Sequence, residues 1–254
     1  MTIKVIALNT FKEAVRDRIL YLLLFFAALS ILVSRILALL TVGDRAKIIK
    51  DVGLASISFF GALMAILIGT GLVYKEIEKR TIFTLISKPM RRYEFLLGKF
   101  FGLVLTLLVM LVLMSVIFLA LVFFHTSTVE WKMLLAILYI FIELILITAV
   151  AILFSSFSTP ILSSLFSLCF YLIGHFSWSL ETLIKKIPAG VLKVLAQIIY
   201  TILPDLENFN FKTEVVHGLT IPSRVLLYSA GYGLLYTVFI LTLAVLVFRR
   251  RDFI

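Results

Sequence analysis

The sequence predicts an all-α integral membrane protein with six transmembrane helices and both termini on the cytoplasmic side. Three observations carry this. Hydrophobic residues make up 62% of the 254 residues and charged residues only 15%, against about half and a quarter in soluble domains. Six apolar runs are long enough to cross a bilayer, for which a helix needs about 20 residues. Lysine and arginine are divided unequally between the segments that join those runs.

Residues 2–17 read as an amphipathic helix. Ile3, Ile6, Ala7, Thr10, Phe11 and Ala14 share one face at helical spacing, while Lys4, Lys12, Glu13 and Arg16 fall elsewhere. Such a helix lies along the inner membrane surface; a plain basic anchor explains the same residues equally well. Residues 1–18 are mixed polar and the apolar run after them is too long for a cleavable signal peptide, so the first span is expected to be retained. The spans fall near 19–40, 54–74, 96–123, 133–154, 161–178 and 225–248. The third exceeds what a crossing requires, which allows tilt. The fourth and fifth form a hairpin whose turn, Ser155-Ser156-Phe157-Ser158-Thr159-Pro160, carries no charge. Residues 179–224 are the only sizeable external segment. It holds Pro188, Pro204 and Pro222, and the apolar stretch Val191 to Leu203 reads as a surface-lying or re-entrant helix. The whole chain, 1–254, reads as one transmembrane domain with no room for a sizeable soluble one.

Charge sets the orientation. With the N-terminus inside, 14 lysines and arginines lie on the cytoplasmic side and nine outside, and five of those nine sit in the long 179–224 segment. Long loops count weakly in the positive-inside rule, so the contrast that decides is 14 against four. The net charge of +10 thus follows topology, and no basic face with interleaved aromatics marks a nucleic-acid partner.

Residues that carry chemistry are sparse. His125, His175 and His217 are far apart and form no short metal-ligand spacing. Cys169 is alone, lies in an apolar run and reads as a small packing residue. Glu143 and Arg35 fall inside spans, where ionisable groups are expensive and are paired or functional. They could pair with each other, line a polar path as a transport site, or sit nearer an interface. Ser155, Ser156, Ser158, Ser163, Ser164 and Ser167 crowd the fourth and fifth spans, where small hydroxyl residues let helices approach and bond across. No serine-nucleophile elbow and no phosphate-binding GxxxxGK[ST] loop is present. Gly98 and Gly102 match GxxxG, a weak signal for a dimer face.

The densest signal is the charged segment from Tyr74 to Arg92, between the second and third spans. A bilayer cannot hold that charge, and its excess of lysine and arginine places it on the cytoplasmic side. Glu76, Glu78, Thr81, Leu85, Pro89, Arg91-Arg92 and Gly98-Lys99 resemble the first cytoplasmic loop of ABC-2 type transporter permeases. Leu203-Pro204-Asp205-Leu206-Glu207-Asn208-Phe209 and the ending Phe248-Arg249-Arg250-Arg251-Asp252-Phe253 are similar to the same family. The nearest-looking subgroup contains the permease of the nitrous-oxide-reductase maturation system.

The resemblance implies a six-span membrane subunit of a bacterial or archaeal ABC exporter, in a prokaryotic cell (inner) membrane. It implies a homodimer, or a heterodimer with a similar permease, and a separate ATP-binding subunit that holds ATP and magnesium; this chain itself would carry no cofactor, metal or catalytic residue. Residues 75–95 would be the coupling loop that docks on that subunit. Glu76, Glu78, Thr81, Leu85, Pro89 and Arg91 would make the contact, and the N-terminal helix would add to it. Arg80 stands where many relatives carry glycine, which favours a continuous helix there. Two other readings stay open: an intramembrane enzyme, such as a metalloprotease or lipid transferase, and a membrane scaffold that needs no ATPase. The substrate is not legible.

Overall fold

The computed structural model describes residues 2–39, 44–78, 92–127, 131–177 and 204–250, with 182, 184, 190, 193 and 197 singly. Among these, all regular structure is helical. In chain order the helices are α1 (Thr2–Val15), α2 (Arg18–Leu39), α3 (Arg45–Glu78), α4 (Arg92–Thr126), α5 (Lys132–Ser155), α6 (Pro160–His175), α7 (Lys212–Val216) and α8 (Ser223–Arg250), with a 3-10 turn at Leu206–Phe209 before α7.

Five of these helices, α2, α3, α4, α5 and α8, are long and apolar enough to cross a membrane. The second and third expected spans lie inside longer helices: α3 starts nine residues before 54 and α4 starts at Arg92. The fifth expected span, 161–178, is a helix of only 16 residues. At 1.5 Å per residue it reaches about 24 Å, short of a hydrocarbon core of about 30 Å. It opens with Pro160 at its first turn, where the missing N–H costs nothing. The helix expected from Val191 to Leu203 falls almost wholly outside the described residues.

Helix α5 is the centre of the bundle. It is apolar all round, and 15 of its 24 residues are buried, as expected for a helix surrounded by others. It packs against α3, α4, α6, α7 and α8. By contrast α2 turns Leu22, Phe25, Leu29, Leu32 and Ile36 outward, a stripe of large side chains that calls for hydrocarbon rather than water. Cys169 also lies exposed on α6, on an outward face with Leu165 and Leu172, and fills no gap in the core.

Hydroxyl groups satisfy themselves within helices and stitch three of them together. Thr106, Thr148 and Thr237 each donate to the carbonyl four residues back. Ser155 on α5 donates to the Thr70 carbonyl on α3 at 3.2 Å, and the Thr70 hydroxyl meets Ser164 on α6 at 2.8 Å. The serine-rich hairpin thus bonds across helices, which membrane interiors favour because no water competes.

The N-terminal helix rests on protein. Its predicted apolar face lies along the start of α4, with Thr10 and Ala14 buried. The glycines of the GxxxG pattern face this helix: a Cβ on Gly98 would stand 2.6 Å from the Ile6 Cβ, and one on Gly102 only 2.6 Å from the Ala7 carbonyl. No side chain larger than hydrogen fits, so the pattern serves an intramolecular crossing. Beside it, Lys99, 2% exposed, reaches Glu13 of α1 at 3.3 Å.

Candidate functional site

Two regions concentrate polar residues. The first is the charged segment after α3. Glu76 and Glu78 lie on the last turns of that helix, which therefore runs unbroken from the bundle into the segment. Thr81, Leu85, Pro89 and Arg91 lie outside the described residues. The chain re-enters the described structure at Arg92, the first residue of α4.

The second is a buried cluster in the bundle. Glu143 sits on α5 with no exposed surface, 11 residues in from Lys132. Because α6 is short, its last residue, His175, ends against α5 at this depth. Nε2 of His175 lies 2.8 Å from Oε1 of Glu143, and Nδ1 lies 3.7 Å from Glu207, an ion-pair distance. The Tyr171 ring meets the imidazole edge-on at 4.7 Å. Glu207 belongs to the 3-10 turn, which folds back onto the end of α6. Leu206 and Phe209 are buried, and a Cβ on Gly174 would stand 2.6 Å from Leu206. Asp205 caps the turn by accepting from the Glu207 N–H, while its own N–H donates to the Tyr232 hydroxyl of α8. The turn packs on one side against α5, α6 and α8, while Glu207 and Asn208 are exposed on the other.

The electrostatics outside the spans follow from these contacts. The bond from His175 is the main influence holding the Glu207 carboxyl below its ordinary value; Asn210 and Lys212 act with it against desolvation. Burial depresses the Lys212 ammonium, against the attraction of Glu143 and Glu207. The second oxygen of Glu143 is buried without a hydrogen-bond partner among the described residues. The cluster alternates carboxylate, imidazole, carboxylate and ammonium, and it clamps α5, α6 and the turn together. Among the described residues no three His, Cys, Asp or Glu side chains are arranged to hold a metal ion.

Sequence reasoning found Glu143 and noted His175 and Glu207 separately. It did not join them, because they are 32 and 64 residues apart and only the early end of α6 brings them together. Lys212 carried no signal beyond its charge. Arg35 is elsewhere, exposed on α2 beside α4.

Residues 4–253 match the model of the ABC-2 family transporter proteins. The chain belongs to that family. It is therefore the membrane subunit of a transporter, of a kind that generally works with a separate ATP-binding subunit. No curated protein matches the chain. In this ABC-2 family member, the described part of the Leu203–Phe209 motif, Pro204 to Phe209, holds the turn that brings Glu207 against His175.

Proposed function

We propose that this permease is a six-span, N-in and C-in exporter subunit of a prokaryotic cell membrane, and that it converts ATP hydrolysis by a partner chain into transport or mechanical work. The observation that carries the proposal is the continuity of α3 and α4 with the charged segment between them. A stiff helix on each side makes the segment a lever attached directly to two spans. Glu76, Glu78, Thr81, Leu85, Pro89 and Arg91 are the proposed contact with the partner, with charge complementarity setting register more than affinity. The partner supplies the ATP and magnesium sites. The permease works as a homodimer or beside a similar permease, and α6 counts as its fifth span. Likeness to the permease of the nitrous-oxide-reductase maturation system belongs to the same proposal.

Affinity purification of the tagged chain in mild detergent, with mass spectrometry of what accompanies it, tests this reading. An ATP-binding cassette protein should co-purify with the wild type and be lost from a Glu76→Lys, Glu78→Lys variant. A folded, natively expressed permease that brings down no such protein sinks the proposal.

A further inference from the structure

A second feature is independent of any ATP-driven step. A groove of about 400 Å³ runs between α2 and α4, lined by Leu32, Val116, Ile117, Ala120 and Phe124, with Arg35 and His125 among its walls. That volume is within the range of small-molecule sites, about 300–1,000 Å³. The lining is apolar except at one end. Arg35 lies 17 residues beyond Arg18, about 26 Å along the helix, which puts it near the far edge of a core about 30 Å thick. His125 is the second-last residue of α4, at the same end. Val116 lies nine residues earlier on α4, about 13 Å deeper at 1.5 Å per residue. Trp131, 73% exposed, follows at this end, where aromatic side chains favour the membrane–water boundary.

Arg35 meets no acidic side chain among the described residues, and a guanidinium near hydrocarbon calls for an anion. The groove offers a cation and an imidazole at headgroup depth, with a dry channel below them.

We propose that this groove is a phospholipid site: the Arg35 guanidinium binds the lipid phosphate, His125 flanks it, and an acyl chain lies along Leu32, Val116, Ile117 and Ala120. Guanidinium suits this role because its fork of donors matches phosphate oxygens. The site is at the end of the bundle opposite α1.

Native mass spectrometry of the full chain in detergent, titrated with phosphatidylglycerol or with diacylglycerol of the same chains, tests it. The wild type should bind phosphatidylglycerol at least about tenfold more tightly than diacylglycerol, the scale of one charge-assisted contact. Arg35→Gln should erase that preference and Arg35→Lys should keep most of it. Ala120→Trp, which fills the groove from an exposed position, should weaken both lipids. Because Arg35→Gln makes the surface more apolar, a normal melting temperature will show that it folds. Two results overturn the proposal: an unchanged preference in Arg35→Gln, or efficient Ala120→Cys cross-links between copies in a Cys169→Ser background, which would mean that a second copy covers this face.

Discussion

The joint between α1 and α4 and the joint between α5, α6 and the 3-10 turn solve one problem by different means. The first uses absence: glycine at 98 and 102 lets two backbones touch, with the Lys99–Glu13 contact beside them. The second adds charge: His175 stands between Glu143 and Glu207 at the end of α6, beside Gly174, which packs directly against Leu206 of the turn. A glycine crossing has no protons to gain and no rotamers to change, so it passes displacement on as a rigid body. A buried charged cluster has more than one hydrogen-bonding arrangement, and its worth depends on every member being satisfied. The rigid joint lies on the helix that leaves the charged segment, the contact proposed for the ATP-binding partner. The adjustable joint lies at the far side of the same bundle.

Substitutions can break this contrast, the largest effect first. His175→Leu removes the group between two carboxylates, and losing one partner of a buried pair costs about 3–5 kcal/mol. A large fall in melting temperature in detergent is expected, with partial recovery when Glu143→Leu is added. If the single variant melts like the wild type, the cluster holds nothing together. Gly102→Leu drives a side chain into the Ala7 carbonyl and Thr10, an overpacking of about 1–3 kcal/mol. The expected sign is release of α1, read as faster proteolysis of residues 2–15 while the remaining helices keep their protection. Protection unchanged at α1 would show that the crossing is not tight.

The smallest effect sharpens the comparison through pH. The Glu207 carboxyl titrates below its unfolded value of 4.5. The stability it contributes is therefore present above that value and is lost as pH falls through its lower folded value. The groups facing it are His175 from α6, and Asn210 and Lys212 from its own segment. Glu207 is half exposed, so screening keeps the effect below about 1 kcal/mol. Glu207→Gln should flatten the acid limb of the melting-temperature profile. Identical acid limbs in wild type and Glu207→Gln would remove the charge-based half of the contrast.

Much of the bundle was legible because its signals are local. Apolar runs gave the long helices, and the 3.6-residue spacing of Ile3, Ile6, Thr10 and Ala14 gave the buried face of α1. What covers that face was not legible, since GxxxG reads the same whether its partner is another copy or the chain's own N-terminal helix. The fifth span was expected to be short, and only the place where its helix ends was not legible. Trp178 and its neighbours continue the apolar run, but the helix stops at His175, where a tertiary contact with Glu143 takes over from hydropathy. Cys169 was expected among packing residues because its neighbours are apolar; they are apolar on a face that points outward. The coupling residues Thr81, Leu85, Pro89 and Arg91 rest on resemblance, and Glu76 and Glu78 on resemblance and on the helix that carries their backbone.

The shortness of α6 also bears on how the protein is made. An apolar helix of only 16 residues is a weak candidate for independent insertion, since a crossing helix needs about 20. Its neighbour α5 is among the most apolar helices of the chain, and the turn between them has no charge to strand on either side. The two are therefore suited to enter the bilayer as one hairpin. The upper seat of α6 is completed only when Leu206, Glu207 and Phe209 have left the ribosome. Until then His175 and Glu143 have each other but lack Glu207, so final closure of the bundle must follow synthesis of about four-fifths of the chain.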